Sequence, residues 1–269
     1  MKNYLNLLRD VLRNGEKRTN RTGVCTLAKF GESLSFDLAE GFPAVTTKQL
    51  YFKSVAAELA GFLEGTESAA RMRELGTKIW DANASAPHWQ AHSKCKGTDD
   101  LGRIYGAVWR DFGGVDQVQQ IVNKLFTNPD DRRLVVSAWD PAETRQCLPP
   151  CHIFWQVDVT SNRKLNLAFY MRSLDLFLGA PFDIASYALL QHIIANQVGF
   201  AVGTLTMFIG NAHIYTNHLD QVEEQLTRKP YALPTLVLNK FATVNNFLPY
   251  MASLKNYDHH EAIKAEMVV

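Results

Sequence analysis

The feature that most constrains the fold is a strongly apolar stretch over residues 184–198, whose pattern predicts a helix. A helix that crosses a bilayer needs about 20 predominantly apolar residues, and this stretch is shorter and interrupted by polar side chains. The chain also lacks any run of about 18 apolar residues. We therefore expect a protein without membrane spans, in which 269 residues can bury a sizeable core.

The charge balance limits the kinds of partner that the chain can bind. It has 28 basic and 27 acidic residues, a net charge of +1, which argues against a general polyanion-binding surface and predicts no nucleic-acid partner. A local phosphate pocket remains compatible with it. Hydrophobic residues make up 46% of the chain, as in ordinary globular proteins. The N-terminus runs straight into an amphipathic pattern rather than a signal peptide, so we expect a cytoplasmic protein.

Periodicity and turn residues predict an alternation of helices and strands. Helices are predicted over residues 5–12 with a stop at Asn14-Gly15, and over 51–64, 117–126, 184–198 and 213–226. Strands are predicted near residues 24–30, 33–38, 134–139, 153–159 and 165–170, and residues 81–103 as a long loop. No linker or repeat divides the chain. We predict one α+β domain over residues 1–269, with a mixed, largely antiparallel sheet packed with helices.

A candidate nucleophile lies in the segment Leu148-Pro-Pro-Cys151-His152. The prolines fix the backbone ahead of Cys151, and the β-like run after it places the thiol at the start of a strand. The thiolate is the reactive form, so nearby positive charge is needed, from Arg172 or from the pair Arg132-Arg133. Taken alone, the segment fits a buried structural cysteine equally well or better. The four cysteines of the chain are too scattered for a disulfide framework.

Two further sets of residues have the chemistry of a site. The arginine fork suits phosphate, and the candidates are Arg21, Arg132, Arg133 and Arg172-Ser173, although each alone could be a solvated surface group. Glu58 lies on the apolar stripe of a predicted helix, either as a charge at the helix edge or as a partly buried proton-transfer acid.

One cluster has a spacing that could suit zinc. His88, His92 and Cys95 lie close together in the predicted loop, but the loop offers no fourth ligand at metal-site spacing. We therefore predict no metal site.

Taken together, the segments resemble the thymidylate synthase family over essentially the whole chain. The matching segments are residues 20–23, 41–48, 79–81, 105–109, 131–133, 148–152, 172–175, 210–215 and 263–269, and they follow the family's order. The resemblance implies a nucleotide substrate and 5,10-methylenetetrahydrofolate as cosubstrate. It also implies an obligate homodimer in which Arg132 and Arg133 reach the partner's site.

The resemblance implies a role for each matching residue. Cys151 adds to C6 of the pyrimidine, and Tyr105 with Glu58 and ordered water helps to remove the C5 proton. Arg21, Arg172 and Ser173 hold the substrate phosphate, and His213 and Tyr215 bind the ribose 3′-hydroxyl. The folate site is lined by Trp80, Leu148, Asp175, Gly179 and Phe182, and closed by the tail that ends at Val269.

Two positions depart from the family pattern. Asn211 stands where thymidylate synthases usually have aspartate, and Asp183 stands where they have the asparagine that recognises uracil. An amide donates to O4 and accepts from N3–H, whereas an ionised carboxylate only accepts. Cytosine offers an amino group at C4, and a buried mismatch costs about 1–3 kcal/mol. Asp183 therefore predicts deoxycytidylate (dCMP) as substrate, as in the phage deoxycytidylate hydroxymethylases that share the fold.

The product is less constrained than the base. Hydride from the folate gives a methyl group, whereas water gives a hydroxymethyl group. The closing tail and Trp80 resemble those of methylating members, and a closed, dry site favours hydride transfer. We expect 5-methyl-dCMP, with 5-hydroxymethyl-dCMP as the alternative. Either product suits a virus that modifies its cytosine, which would place the enzyme in the host cytoplasm. The rival hypotheses are an ordinary thymidylate synthase acting on deoxyuridylate (dUMP) and a silent homologue that binds RNA or a nucleotide.

Overall fold

A computed structural model describes residues 1–142 and 146–268. Helices pack on one face of a central sheet and account for most of the segments between its strands. Their bounds are α1 Lys2–Asn14, α2 Phe52–Glu64, α3 Ala69–Leu75, α4 Asp81–Ala84, α5 Pro87–Gln90, α6 Tyr105–Arg110, α7 Gln117–Thr127, α8 Gly179–Val198 and α9 Leu219–Thr227. The first helix ends at Gly15 and the second at Gly65, which takes a left-handed conformation that favours glycine, as the sequence predicts.

Eight strands are found within the described residues, and six of them form one sheet in the order β1-β2-β6-β5-β4-β3. Their bounds are β1 Glu16–Arg18, β2 Thr26–Asp37, β3 Val135–Ser137, β4 His152–Val159, β5 Lys164–Asp175, β6 Ala201–Tyr215, β7 Thr235–Leu238 and β8 Ala252–Lys255. In the large sheet only β5 and β6 run parallel. The predicted α+β class with a mixed, mainly antiparallel sheet is therefore confirmed.

The apolar helix α8 lies in the core. It packs on β5 and β6 of the sheet and on α2. Most of its residues are fully buried, from Ile184 through Ile194, because the helix is covered on nearly every side. The predicted helix began at residue 184, whereas α8 begins at Gly179 and so includes Asp183 in its second turn.

The other face of the sheet is open. Its strands alternate between buried side chains and half-buried or exposed ones, as expected for a sheet with only one covered face. Phe208, Tyr170 and Phe154 follow one another across three neighbouring strands in register. The Phe154 and Tyr170 rings are parallel, with centroids 5.9 Å apart. An aromatic row therefore lies on the open face.

Three predictions of local structure were wrong. The two strands predicted over 24–38 are one strand, β2, and the loop predicted over 81–103 contains the short helices α4 and α5. The helix predicted from residue 213 begins only at Leu219, because residues 201–215 form the central strand β6. His213 and Tyr215 consequently lie on a strand. Within the described residues, no helix combines the length and the apolar character that crossing a bilayer requires.

Candidate active site

The candidate residues come from five elements and meet beside the ends of β4, β5 and β6. Cys151 directly precedes β4, and Arg172 and Ser173 lie near the C-terminal end of β5. The backbone N–H of Arg172 donates to the carbonyl of Cys151 over 2.8 Å, which fixes the two strands at this point. Glu58 comes from α2, Tyr105 is the first residue of α6, and Asp183 lies in α8.

Cys151 is half-buried, and the groups around it shift the pKa of its thiol in opposite directions. Burial raises the pKa of its thiol, and the carboxyl of Asp183 acts in the same direction. The guanidinium groups of Arg172 and Arg21 act in the opposite direction and favour the thiolate. Of the arginines that the sequence offered as activators, Arg172 fulfils the expectation, and Arg21 joins it in place of the pair Arg132-Arg133.

Tyr105 is hydrogen-bonded to the backbone of the candidate nucleophile. Its phenol oxygen accepts a hydrogen bond from the backbone N–H of Cys151 over 2.9 Å, so the phenol proton remains available for another partner. Burial, together with the nearby Cys151, raises the pKa of Tyr105 well above its usual value. Tyr105 is therefore a neutral phenol, able to donate one proton and accept another.

Glu58 is held by the indole of Trp80, whose Nε1 donates to Oε1 over 2.9 Å. Burial raises the pKa of Glu58 to about 7, and the hydrogen bond from Trp80 offsets part of that rise. A carboxyl with such a pKa is protonated and ionised in similar amounts near neutral pH, which suits proton transfer. Of the two alternatives for Glu58, the structure therefore supports the partly buried acid rather than a charge at the helix edge.

Asp183 lies among other acids. Burial raises the pKa of its carboxyl well above the usual value, and the carboxyls of Glu58 and Asp175 add to that rise. This rise favours the protonated, neutral form of Asp183. A neutral carboxyl carries one donor and one acceptor, like the asparagine amide, but its proton can occupy either oxygen.

Two of the phosphate candidates differ sharply in their surroundings. Arg172 is tied to the loop before Cys151, because its Nε donates to the carbonyl of Pro150 over 2.7 Å and its Nη2 to that of Pro149 over 3.0 Å. Its guanidinium carbon also lies 5.8 Å from the ring centre of Trp139. Arg21 is exposed in the turn before β2. Both are close enough to Cys151 to influence its thiol.

Arg132 and Arg133 lie apart from this cluster. Both are exposed and precede the edge strand β3, and Arg133 is paired with Asp131 at 3.1 Å. The structure therefore does not bring these two arginines to the site of their own chain.

His213 and Tyr215 lie at the end of β6, where their rings meet edge to face with centroids 5.1 Å apart. Nδ1 of His213 is 3.0 Å from Oδ1 of Asn211, the residue that departs from the family pattern. Ser173 pairs with Asn211, and Asp175 with His213, across β5 and β6. The phosphate, ribose and folate candidates are thus adjacent on these two strands.

The predicted folate-binding residues form a second, more apolar part of the site. Oδ1 of Asp175 accepts from the backbone N–H groups of Phe177 and Leu178 over 2.8 and 3.2 Å, which holds the turn between β5 and α8. Gly179 and Phe182 follow in the first turn of α8 and are half-buried, as is Leu148. Val269, predicted to close this site, lies outside the described residues.

Two residues of the cluster were missed as individual candidates. The imidazole of His152 stacks on the ring of Tyr105 with centroids 3.8 Å apart, and its Nδ1 lies 2.7 Å from Oη of Tyr187. Tyr187 is one helical turn after Asp183 in α8, but the predicted helix began at residue 184, so the sequence did not indicate that the two share a helix face. No group of three His, Cys, Asp or Glu side chains among the described residues is arranged to hold a metal ion.

Sequence comparisons identify the family of the chain. A family model described as thymidylate synthase matches residues 2–269. The thymidylate synthase of Mesoplasma florum is 40% identical over 288 residues, and that of Enterobacteria phage T4 is 42% identical over 290 residues. Each alignment covers the whole of this chain and the whole of the relative. The chain therefore belongs to the thymidylate synthase family.

Proposed function

We propose that this enzyme transfers a one-carbon unit to C5 of dCMP and that the product is 5-methyl-dCMP. Family membership makes the chain a folate-dependent pyrimidine C5 methyltransferase with methylenetetrahydrofolate as cosubstrate. The observation that carries the finer proposal is Asp183, an acid among the site residues at the family's base-reading position.

The covalent step falls to Cys151. Its sulfur adds to C6, which breaks the C5–C6 π bond and makes C5 nucleophilic, and the S–C6 bond breaks again when the double bond re-forms. Arg172 and Arg21 stabilise the thiolate before attack. Burial opposes ionisation of the thiol, and the two guanidinium groups offset part of that effect.

Removal of the C5 proton falls to Tyr105 and Glu58. Tyr105 has its phenol oxygen fixed by the N–H of Cys151 and serves with ordered water as the proton's first acceptor. Glu58, with a pKa of about 7, exchanges protons with that water near neutral pH. Tyr105 contacts Cys151, and the carboxyl of Glu58 raises the pKa of both Tyr105 and Asp183, so these groups are near enough to act on one bound base.

Base recognition falls to Asp183 in its neutral form. One oxygen donates its proton to the unprotonated N3 of cytosine, and the other accepts from the C4 amino group. Both hydrogen bonds form without an added charge in the site. Arg21, Arg172 and Ser173 bind the phosphate in this arrangement, and His213 and Tyr215 bind the ribose 3′-hydroxyl.

The residues predicted to bind the folate fit a flat, partly polar ring. A Cβ added to Gly179 would lie 3.7 Å from Oδ2 of Asp183 and 3.8 Å from Cβ of Asp175, so glycine leaves room between these acids. Trp80, Leu148 and Phe182 supply apolar walls, and Asp175 supplies the polar group. When bound, methylenetetrahydrofolate supplies the one-carbon unit and, for a methyl product, the hydride. Val269 closes the site in this proposal.

The methyl product is favoured by the closed surroundings of Glu58. Trp80 is buried and holds Glu58 by a hydrogen bond, which limits the space for an additional reactive water. The hydroxymethyl product requires water to take the place of the hydride. The two products therefore differ in the water that reaches this corner of the site.

A second candidate is the ordinary thymidylate synthase reaction on dUMP. Both relatives described above carry that name. A neutral Asp183 can also match uracil if the proton moves to the other oxygen, so that one oxygen accepts from N3–H and the other donates to O4. Selection of cytosine then depends on which oxygen of Asp183 the neighbouring acids leave protonated.

We further propose that the whole chain, residues 1–269, acts as one catalytic domain in an obligate homodimer, and that it works in the cytoplasm, or in a host's cytoplasm if the source is viral. The open sheet face supports the dimer, because the row of Phe208, Tyr170 and Phe154 is available to a second copy. The position of Arg132 and Arg133, exposed and away from their own chain's cluster, also supports it.

The test is product analysis. The enzyme is incubated with methylenetetrahydrofolate and either dCMP or dUMP, and the nucleotide and folate products are identified by mass spectrometry, with the Cys151→Ser variant as the control. We expect 5-methyl-dCMP and dihydrofolate, and no turnover by the variant. Hydroxymethyl-dCMP with tetrahydrofolate would replace the methyl assignment, and turnover of dUMP alone would overturn the assignment of the base.

A further inference from the structure

Tyr187 makes a contact that the proposed reaction does not explain. Its hydroxyl lies 2.7 Å from Nδ1 of His152, a short distance for a buried hydrogen bond. The Tyr187 ring is clamped against Phe169, with centroids 3.9 Å apart and planes 11° apart, so the hydroxyl cannot swing away without a change in the core. Both partners are buried.

The protonation of this pair follows from burial. Burial lowers the pKa of His152 to about 3, and burial raises the pKa of Tyr187 well above its usual value. The imidazole and the phenol are therefore both neutral, and the imidazole carries one proton. A buried O–H without an acceptor is costly, so Tyr187 donates to Nδ1 and the imidazole proton is on Nε2.

The imidazole in turn supports Tyr105. The two rings are nearly parallel, with planes 5° apart and centroids 3.8 Å apart. The rings of Phe62 and Trp109 also pack against the imidazole, with ring centroids 6.0 and 6.1 Å from its own. The phenol oxygen of Tyr105 is fixed at its other end by the N–H of Cys151. Rotation of the His152 ring would therefore displace the phenol that faces the reacting carbon.

We propose that Tyr187 is a positioning residue for the reaction: its hydroxyl donates to Nδ1 of His152, fixes the Nε2–H tautomer and holds the imidazole on which Tyr105 stacks. This rests on the role proposed above for Tyr105, but not on the identity of the base. Because Tyr187 lies one turn after Asp183 in α8, the helix that carries the base-reading acid also orients the proton acceptor.

The first test examines the tautomer in the unaltered protein. Histidine labelled with ¹⁵N is incorporated, and the His152 signals are assigned by their loss in His152→Phe. We expect a neutral ring protonated at Nε2, and a mixture of tautomers in Tyr187→Phe. A ring protonated at Nδ1 in the unaltered protein would overturn the proposal whatever the substrate is.

The second test is kinetic and uses whichever pyrimidine nucleotide the enzyme turns over. We expect Tyr187→Phe to lower kcat roughly 10- to 100-fold with little change in the nucleotide KM, because misplacement of a reacting group has effects of this size. The matched control is Tyr4→Phe, which also removes one buried hydroxyl, bonded to the carbonyl of Leu176 at 2.9 Å. Its kcat should remain near that of the parent.

A double-variant cycle separates positioning from general loss of stability. If Tyr187 acts through His152, adding Tyr187→Phe to His152→Phe should cause no further loss of kcat. If the fold losses of kcat in the two single variants multiply in the double variant, the proposal is overturned. A kcat for Tyr187→Phe equal to that of Tyr4→Phe would overturn it as well. A protein that turns over neither dCMP nor dUMP would contradict the proposed function instead, and the tautomer measurement would still decide the role of Tyr187.

Discussion

At the scale of single residues, the proposed role of Asp183 rests on the one atom that distinguishes aspartate from asparagine. Aspartate and asparagine have nearly the same shape, but the amide has a fixed donor and a fixed acceptor while a neutral acid has a movable proton. Burial and the nearby carboxyls of Glu58 and Asp175 raise the pKa of Asp183 and so favour its protonated form. The acid can therefore form two hydrogen bonds to cytosine without placing a charge in the site.

We predict that Asp183→Asn shifts the base preference from dCMP towards dUMP. The amide presents the family's uracil-reading pattern, and one buried mismatch is worth about 1–3 kcal/mol, or roughly 5- to 150-fold in kcat/KM. Measuring kcat/KM for both nucleotides checks this. Asp158→Asn, at an exposed position on β4, makes the same change of side chain away from the site and serves as control. An unchanged preference in Asp183→Asn would show that Asp183 does not select the base.

Much of the candidate site could be predicted from residues because its members lie in distinctive segments. Cys151 follows two prolines, and Asp183 lies within a long family segment. The link from Tyr187 through His152 to Tyr105 could not be predicted. These residues are far apart in the chain, and their contact depends on how α8, β4 and α6 pack, which local patterns do not encode.

At the scale of elements, the sequence pattern was reliable where one rule dominated. The amphipathic helix α1 and the glycine-terminated α2 were predicted nearly to their ends. Strand β6 was missed, because its buried positions include glycines and an interrupted alternation near residue 210. Only the pairing with β2 and β5 on its two sides makes this segment a strand.

Helix α6 presents Tyr105 only because a glycine lets it approach α2. A Cβ on Gly106 would lie 2.1 Å from the carbonyl oxygen of Phe62 and 2.4 Å from its Cα, both backbone atoms that cannot move aside. We predict that Gly106→Ala lowers the free energy of unfolding by about 1–3 kcal/mol, since the overpacked helices must separate. Because α6 begins with Tyr105, kcat should fall as well.

The matched variant is Gly179→Ala in α8, where the added Cβ would make only ordinary contacts of 3.7 Å and longer. There we expect unchanged or slightly higher stability, by up to about 1 kcal/mol, because alanine is the better helix former. Urea unfolding of both variants, with kcat and the KM for the folate, checks the pair. Equal stability of Gly106→Ala and the parent would contradict the close approach of α6 and α2.

At the scale of the whole molecule, the site makes the fold less stable than it could be. Glu58 is ionisable in a buried position, and burial raises its pKa from 4.5 to about 7. The folded state therefore binds this proton more tightly than the unfolded state. Its contribution to stability is fully present below pH 4.5 and is lost as the pH rises through about 7.

We predict that Glu58→Gln is more stable than the parent above pH 7 by about 1–3 kcal/mol, and that the difference diminishes towards pH 4.5. The amide removes the cost of a buried charge and its oxygen can still accept from Trp80. Urea unfolding at several pH values measures the difference, with Glu223→Gln at an exposed position of α9 as control. A difference that is independent of pH would mean that Glu58 does not ionise within this range.

The proposed dimer predicts that two inactive variants can restore activity when they associate. If Arg132 and Arg133 act in the partner's site, a chain with Arg132→Ala and Arg133→Ala still has a competent Cys151, while a Cys151→Ser chain still has both arginines. Each variant alone should be nearly inactive. In a mixed dimer, one of the two sites combines an intact nucleophile with intact arginines, because an isologous interface exchanges the same groups in both directions.

Refolding the two variants together at equal concentration should therefore restore about a quarter of the activity per site, since half of the dimers are mixed and each has one complete site. The control introduces Phe208→Glu into both chains, which places charges in the aromatic row of the open face and should prevent both dimer formation and recovery. Sedimentation measures the association state in the same samples. If dimers form without any recovery of activity, the arginines act within their own chain. If activity still recovers with Phe208→Glu in both chains, the sheet face is not the interface.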